Sequence, residues 1–367
     1  MNTLYLREER YFKFLDELSR EYRVYLPVKA QGQALACAFG FKAATADYAL
    51  EKYSVVPKDE IIFNEYRTID SLKSFFSPPK EKVASDFGSS SGIPGDEKVA
   101  VFGVKNCDLF SLRIQDFVFL GGAAVDPFYE KRRRNTLLVS GDCLNFKEVC
   151  FCAALDIMPY ALDGFDLNMS PLNAGFLVDV GSDKGREVVE KYASYFLPAT
   201  DTQISARQKK REAMLKKLKE HLVLHNIPRK EEIPGIVRKG YDSAIWKERI
   251  LTCVECGGCN MLCGTCHCFL LSDKKSGNVN EKVRSWDACL YLNFARVAGG
   301  ANPMKNRYQR LRNRYLKKFD FFPANIDLCA CCGCGRCIEV CPGKIDIREI
   351  LNSLAKEAAA ANEYSTG

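Results

Sequence analysis

An α+β architecture is predicted for this 367-residue chain: a mixed α/β part over residues 1–240, then a smaller cysteine-rich part over residues 241–367. Three observations carry that expectation. Cysteine is segregated, with five of 18 residues before position 241 and thirteen from Cys253 to Cys341. Helical apolar spacings and short β-like runs alternate through the first part. The late cysteines fall into two blocks of identical spacing, separated by an insertion of about residues 264–330.

In chain order, residues 8–22 place Tyr11, Phe14, Leu15 and Leu18 at helical spacing and predict an amphipathic helix. Lys98–Val104, Thr136–Val139 and Gly175–Val180 predict strands that end in Gly or Asp turn signals. Phe87–Asp96 (FGSSSGIPGD) reads as a flexible loop, residues 205–222 as a strongly basic amphipathic helix, and Asn226–Pro234 as a linker. A helix around Tyr241–Ile250 opens the second part, and a helix from Asp346 to about Ala359 closes it before an alanine-rich tail.

Hydrophobic residues at 47% and charged residues at 27% are ordinary for a globular protein with a sizeable core. The N-terminal MNTLYLREERYFKFL carries charges within its first ten residues and no apolar h-region, so no secretory signal is expected and a cytoplasmic location is. No window approaches the roughly 18 consecutive apolar residues of a membrane span. In that setting abundant thiols point to metal rather than disulfides. The net charge of +7 is modest but clustered, on Lys209, Lys210, Arg211, Lys216, Lys217 and Lys219, and again on Lys305, Arg307, Arg310, Arg312, Arg314, Lys317 and Lys318. Neither GxGxxG nor a Walker A sequence occurs, so no nucleotide or flavin is expected on this chain.

The two blocks are Cys253-x2-Cys256-x2-Cys259-x3-Cys263 and Cys331-x2-Cys334-x2-Cys337-x3-Cys341-Pro342. Three thiolates spaced by three residues wrap a loop around one cubane, with backbone N–H groups turned to its sulfurs. The fourth sits on the next helical turn and points away, so in bacterial two-cluster ferredoxins it ligates the other cluster. The spacing therefore assigns Cys253, Cys256, Cys259 and Cys341 to one [4Fe–4S] cluster, and Cys331, Cys334, Cys337 and Cys263 to a second. Structural zinc is the alternative, but zinc takes two CxxC pairs and gives no reason for a third equally spaced cysteine in duplicate. Cys266, Cys268, Cys289, Cys329 and Cys332 lie outside the quartets, where packing as small hydrophobes is the simpler fate, although Cys263 has Gly264 rather than proline after it and a surplus thiol is a candidate to replace it. His267, between Cys266 and Cys268, suits a hydrogen bond to cluster sulfur, with ligation of iron as the alternative, and His221 with His225 suits a surface pair. Cys107, Cys143, Cys150 and Cys152 equal one further cubane's complement of ligands; their spacing leaves buried thiols and a third cluster both open.

Several stretches are more specific than ferredoxin spacing: KNCDLFSLRIQD (105–116), YEKRRRNTLLVSGDC with FKEVCFC (129–152), CVECGGCNMLCGTCHCF (253–269), WDACLYLNFARVAGGANP (286–303), RYQRLRNRYLKKF (307–319) and CCGCGRCIEVCP (331–342). On these the chain resembles the iron–sulfur subunits represented by sulfhydrogenase β subunits and anaerobic sulfite reductase A subunits. The resemblance implies a ferredoxin-like domain with a long insertion, joined to an α/β domain. It also implies a third [4Fe–4S] cluster on Cys107, Cys143, Cys150 and Cys152. Its implied partners are a flavin subunit exchanging electrons with NAD(P)H and a terminal catalytic subunit. Lys105-Asn106 and Gly264 depart from the family pattern, yet neither removes a thiolate.

The expected function is single-electron relay inside an anaerobic, heteromeric oxidoreductase complex, without a catalytic residue on this chain. Two alternatives stand beside it: a reductase acting at an unusual cluster, and a metal-stabilised nucleic-acid-binding protein using the basic helices. The arginine-rich stretch 305–318 is expected to neutralise reduced clusters or to dock an acidic partner, against the simpler reading of a solvated helix face.

Overall fold

The computed structural model describes residues 3–30, 35–36, 41–42, 47–86 and 96–365; Cys37 and all of the expected Phe87–Asp96 loop except Asp96 lie outside the described residues. The chain divides into two units. One comprises Met1–Ser77, Gly92–Glu148 and Ile157–Leu218, the other Pro78–Ser91, Val149–Asp156 and Lys219–Gly367.

The first unit is built on an eight-stranded mixed sheet in the order Phe196–Pro198, Leu4–Arg7, Gly175–Val180, Leu167–Leu172, Thr136–Gly141, Val99–Val104, Arg23–Lys29, Tyr48–Lys52. Arg23–Lys29, Val99–Val104, Thr136–Gly141 and Leu167–Leu172 run parallel at its centre. Parallel strands are covered on both faces, and Thr136–Gly141 (TLLVSG) is accordingly buried at every residue. Phe102 and Val139 face one layer with the helix Glu8–Leu18, which contributes Tyr11, Phe14, Leu15 and Leu18. Val101 and Leu138 face the other layer with the helices Asn106–Leu120 and Pro127–Asn135, through Leu109, Leu112, Phe119 and Tyr129. The three strands read from sequence are all present; the helix expected over 8–22 stops at Leu18, where Arg20 N and Glu21 N switch to acceptors three residues back, Glu17 O and Leu18 O, as the chain turns towards the next strand.

The basic helix runs from Asp201 to Val223, longer than its apolar spacing suggests. Its start is a reciprocal cap: Gln203 N donates to Thr200 Oγ1 at 3.3 Å and Thr200 N donates to Gln203 Oε1 at 2.9 Å. One of its cations is not a surface group. Arg211 is 8% exposed and donates to both oxygens of Asp142, at 2.7 and 2.9 Å, beneath the ring of Tyr160.

The second unit holds a three-stranded antiparallel sheet in the order Phe269–Ser276, Val279–Trp286, Lys80–Ser85. The first two form a hairpin across Gly277–Asn278, where Gly277 has φ +62°, a conformation that favours glycine in two-residue hairpin turns. The helices Ile233–Lys239, Ile245–Arg249, Arg307–Leu316 and Ile347–Ser365 accompany it. The helix expected around Tyr241–Ile250 is instead a turn at Gly240–Asp242 and a short helix from Ile245, restarted where Ser243 Oγ accepts from Ile245 N at 3.1 Å. Trp246 is buried edge-on against Tyr315, which contacts Phe319, so the long insertion packs into the unit's own core. The architecture is thus mixed α/β with a ferredoxin-like C-terminal part. Among the described residues no helix is long and apolar enough to cross a membrane.

Breaking a buried ion pair leaves an uncompensated charge, at a cost of about 3–5 kcal/mol. Arg211→Met is therefore expected to lower the stability of the chain by that amount in a denaturant titration. Asp142→Leu added to it is expected to recover most of the loss, whereas Lys209→Met on the same helix is expected to change stability by less than about 0.5 kcal/mol.

Candidate metal centres in the cysteine blocks

Both cysteine blocks adopt one backbone design. Each turns through two left-handed residues at equivalent positions: Glu255 (φ +56°) and Gly257 (φ +71°) in the first, Gly333 (φ +63°) and Gly335 (φ +72°) in the second. A one-turn helix follows each, at Gly258–Met261 and Arg336–Glu339. The turns aim backbone N–H groups at sulfur: Glu255 N approaches Cys253 Sγ at 3.4 Å, and Ile345 N approaches Cys341 Sγ at 3.4 Å. Gly333 N does the same for Cys331. The duplication inferred from spacing is therefore a duplication in three dimensions.

Cys253, Cys256, Cys259 and Cys341 line one cavity together with Cys337 of the other quartet, closed by Leu290, Leu311 and Tyr315, with Arg314 in its wall. The first predicted quartet thus converges on a shared space. Cys263, Cys331 and Cys337 interact electrostatically with one another, and Cys334 with Cys337, so the second quartet is likewise drawn together. Cys331, Cys334 and Cys263 are buried, whereas Cys256 is exposed.

The thiols fit a metal better than they fit a protein core. Loss of solvation pushes Cys259 up to about 12 and Cys337 up to about 11, in each case against the pull of Arg314. Burial raises Cys331 as well, with Lys318 opposing. Thiolates in such places need positive charge directly on sulfur, which iron or another soft metal supplies. Cys263 is the exception, held well below the usual thiol range by a hydrogen bond from Cys266, with Lys318 and Arg314 adding to it against burial.

The insertion supplies those two cations from one helical face. Arg310, Arg314 and Lys318 recur every four residues and all three are buried. Arg310 donates to the carbonyls of Leu290, Met304 and Lys305 and lies 3.1 Å from Glu255, so it braces the left-handed turn of the first block rather than facing sulfur. Arg314 donates to Cys259 O at 3.0 Å and to Cys266 Sγ at 3.4 Å. Lys318 Nζ lies 3.4 Å from Cys263 Sγ, 2.8 Å from Thr265 Oγ1 and 2.7 Å from Ala330 O. All three lie in the stretch 305–318 expected from sequence to neutralise reduced clusters or dock a partner; Arg314 and Lys318 approach sulfur and Arg310 does not.

Of the surplus cysteines, Cys266 and Cys289 both receive Asn260 Nδ2, at 3.6 and 3.1 Å. His267 turns Nδ1 to Thr265 O at 3.2 Å and packs on Phe322. His221 and His225 bring their Nε2 atoms to 3.3 Å.

The remaining cysteines are divided between the units. In the first unit, Cys107 lies in the opening turn of the helix after strand Val99–Val104, and Cys143 just follows strand Thr136–Gly141. These are the carboxyl ends of neighbouring parallel strands, where open α/β sheets place their ligands. Lys105 is buried there and donates to Asp142 O at 2.9 Å; burial pulls its ammonium down while Cys143, Asp142 and Cys107 oppose that. In the second unit, Phe151 N donates to Gly333 O at 2.8 Å, and the Cys150–Cys152 segment lies over the second cysteine loop. A Cβ on Gly333 would lie 2.5 Å from Cys152 Cα, and one on Gly335 2.2 Å from Val149 O.

Comparison with known proteins agrees with this geometry. Residues 252–345 match the 4Fe-4S dicluster domain family. Over 357 residues, 96% of this chain and 98% of the relative, the sequence is 31% identical to sulfhydrogenase 2 subunit beta of Pyrococcus furiosus. No solved structure matches the chain.

Because any side chain at position 335 meets the Val149 carbonyl, Gly335→Ala is expected to disrupt the second loop and to lower bound iron by about four atoms per chain. Gly235→Ala, where a Cβ meets nothing within 4 Å, is expected to leave iron unchanged. Iron assay of the two anaerobically purified variants checks both.

Proposed function

The chain belongs to the family of sulfhydrogenase β subunits, and on that premise we propose that it is the electron-transfer subunit of a multisubunit oxidoreductase. It would relay single electrons between a flavin-containing, NAD(P)H-linked subunit and a terminal catalytic subunit, a hydrogenase or a sulfur or sulfite reductase. The observation that carries this reading is the duplicated, thiol-lined ferredoxin turn.

Cys253, Cys256, Cys259 and Cys341 are the proposed ligands of one [4Fe–4S] cluster, and Cys331, Cys334, Cys337 and Cys263 those of a second. Cys107, Cys143, Cys150 and Cys152 are the proposed ligands of a third, in keeping with the resemblance carried by the stretches 105–116 and 129–152. When bound, each cluster supplies one-electron redox chemistry at low potential. The residues of the chain do the rest. Glu255, Gly333 and Ile345 turn N–H groups to ligand sulfurs, and Arg310 and Glu255 hold the first turn in shape.

Exposure gives the relay a direction. Cys256 reaches the surface beside Val254 and Leu251, which are 67% and 71% exposed, so the first cluster is the one proposed to face a partner. The Cys150–Cys152 segment against the Gly333 loop supports a third cluster feeding the second. The reading takes the chain to be cytoplasmic and its complex anaerobic, in keeping with its 18 cysteines.

Anaerobic iron and sulfide analysis tests the assignment. About 12 of each per chain is expected, falling to about 8 in Cys107→Ser and again to about 8 in Cys253→Ser. Stoichiometric zinc in place of iron would sink it. Turnover of a substrate by the isolated, dye-reduced chain would favour a reductase instead.

A further inference from the structure

We infer that Lys318 sets the reduction potential of the second cluster, as a positioning residue acting through the ligand sulfur of Cys263. The inference rests on the assignment of Cys263 to that cluster. Lys318 is 5% exposed and places its ammonium among three acceptors, Cys263 Sγ, Thr265 Oγ1 and Ala330 O, at 3.4, 2.8 and 2.7 Å. An ammonium has three donors, so this geometry occupies all of them and leaves the charge no alternative position. Thr265 Oγ1 also donates to Ala330 O at 2.6 Å, which ties the loop after the first block to the residue before the second and locks the ammonium between them.

The groups around it make this more than a structural pin. Cys266 and Cys331 add negative potential at Lys318, while Arg314 opposes it. Arg314 lies on the first cavity's wall and reaches Cys259 O and Cys266 Sγ in the same stretch, whereas Lys318 lies against the proposed ligand sulfur, Cys263 Sγ. Reduction of a cluster held there would add one negative charge, taken from a one-electron donor, with no proton or bond changing place. A fixed cation on a ligand sulfur favours that reduced form, because hydrogen bonds to sulfur and nearby charge raise the potential of such clusters. Lys318 therefore holds the second cluster above the potential that its buried, thiolate-rich surroundings would otherwise impose.

The test is a redox titration of the full-length, cluster-loaded chain, followed by electron paramagnetic resonance, with iron content measured in parallel. Lys318→Met is expected to move one titration step to lower potential and to leave the others in place; Lys318→Arg is expected to restore most of that shift. Unchanged potentials in a Lys318→Met protein of full iron content would overturn the inference. If Lys318→Met loses iron, Lys318→Gln, which keeps a neutral donor for Ala330 O, decides the matter: a lowered step supports the charge effect and a wild-type step excludes it. Failure of the assignment itself is separable, since Cys263→Ser would then keep the full iron content and wild-type potentials.

Discussion

The second unit is organised around a concentration of sulfur that cannot be ionised and buried without compensation. Thirteen cysteines lie between residues 253 and 341, and burial drives several of their thiols well above the ordinary range. Two sources of positive charge resolve this. The proposed clusters place metal inside each ring of thiols. Arg314 and Lys318 place fixed cations outside, buried among carbonyls and sulfurs at a cost in desolvation that only their anionic neighbours offset. Remove either source and the same residues become an assembly of buried groups in the wrong charge state.

The insertion is best understood from that constraint. A small two-cluster ferredoxin closes its cysteine loops on each other, whereas this chain inserts a hairpin and a helix between the blocks. The helix Arg307–Leu316 and the turn after it anchor by Tyr315 and Phe319 and present Arg310, Arg314 and Lys318 along one side. Arg310 explains an oddity of the first loop. Its equivalent in the second block is Gly333, free to take a positive φ, but the first has Glu255 there at φ +56°. A side chain in the left-handed region costs about 1 kcal/mol or more, and the Glu255 carboxylate offsets that by pairing with a cation that has no access to water.

Much of this was legible in the amino-acid order. Cysteine spacing is a local signal, and so are the apolar run of Thr136–Val139 and the helical stripe of Tyr11, Phe14, Leu15 and Leu18; each element needs only its own neighbours to declare itself. What did not show depends on distant partners. The strand Lys80–Ser85 has no strong pattern of its own and is a strand because Val279–Trp286 pairs with it, some two hundred positions later. Arg211 reads as one more lysine-like charge on a basic helix until Asp142 appears beneath it. Lys318 was visible as a charge but not as a buried one, because the acceptors that enclose it, Cys263, Thr265 and Ala330, lie elsewhere in the chain.

The unequal exposure of the two loops bears on how a relay is built. Electron transfer to another protein is favoured where little polypeptide separates a cluster from the surface, and the first block satisfies this with Cys256 exposed and apolar Val254 and Leu251 beside it. Arg307, which donates to Cys253 O at 2.5 Å, gives the same loop a cation at its rim. The second block is the reverse: Cys331 and Cys334 are buried, and the chain from Val149 to Cys152 lies so close over Gly333 and Gly335 that neither position tolerates a side chain. An enclosed site with a fixed cation on one ligand suits a place where charge waits, and an exposed site with an apolar collar suits a place where it leaves. The pseudo-symmetry of the two blocks is therefore broken by what surrounds them, and that asymmetry gives a duplicated ferredoxin turn two different ends.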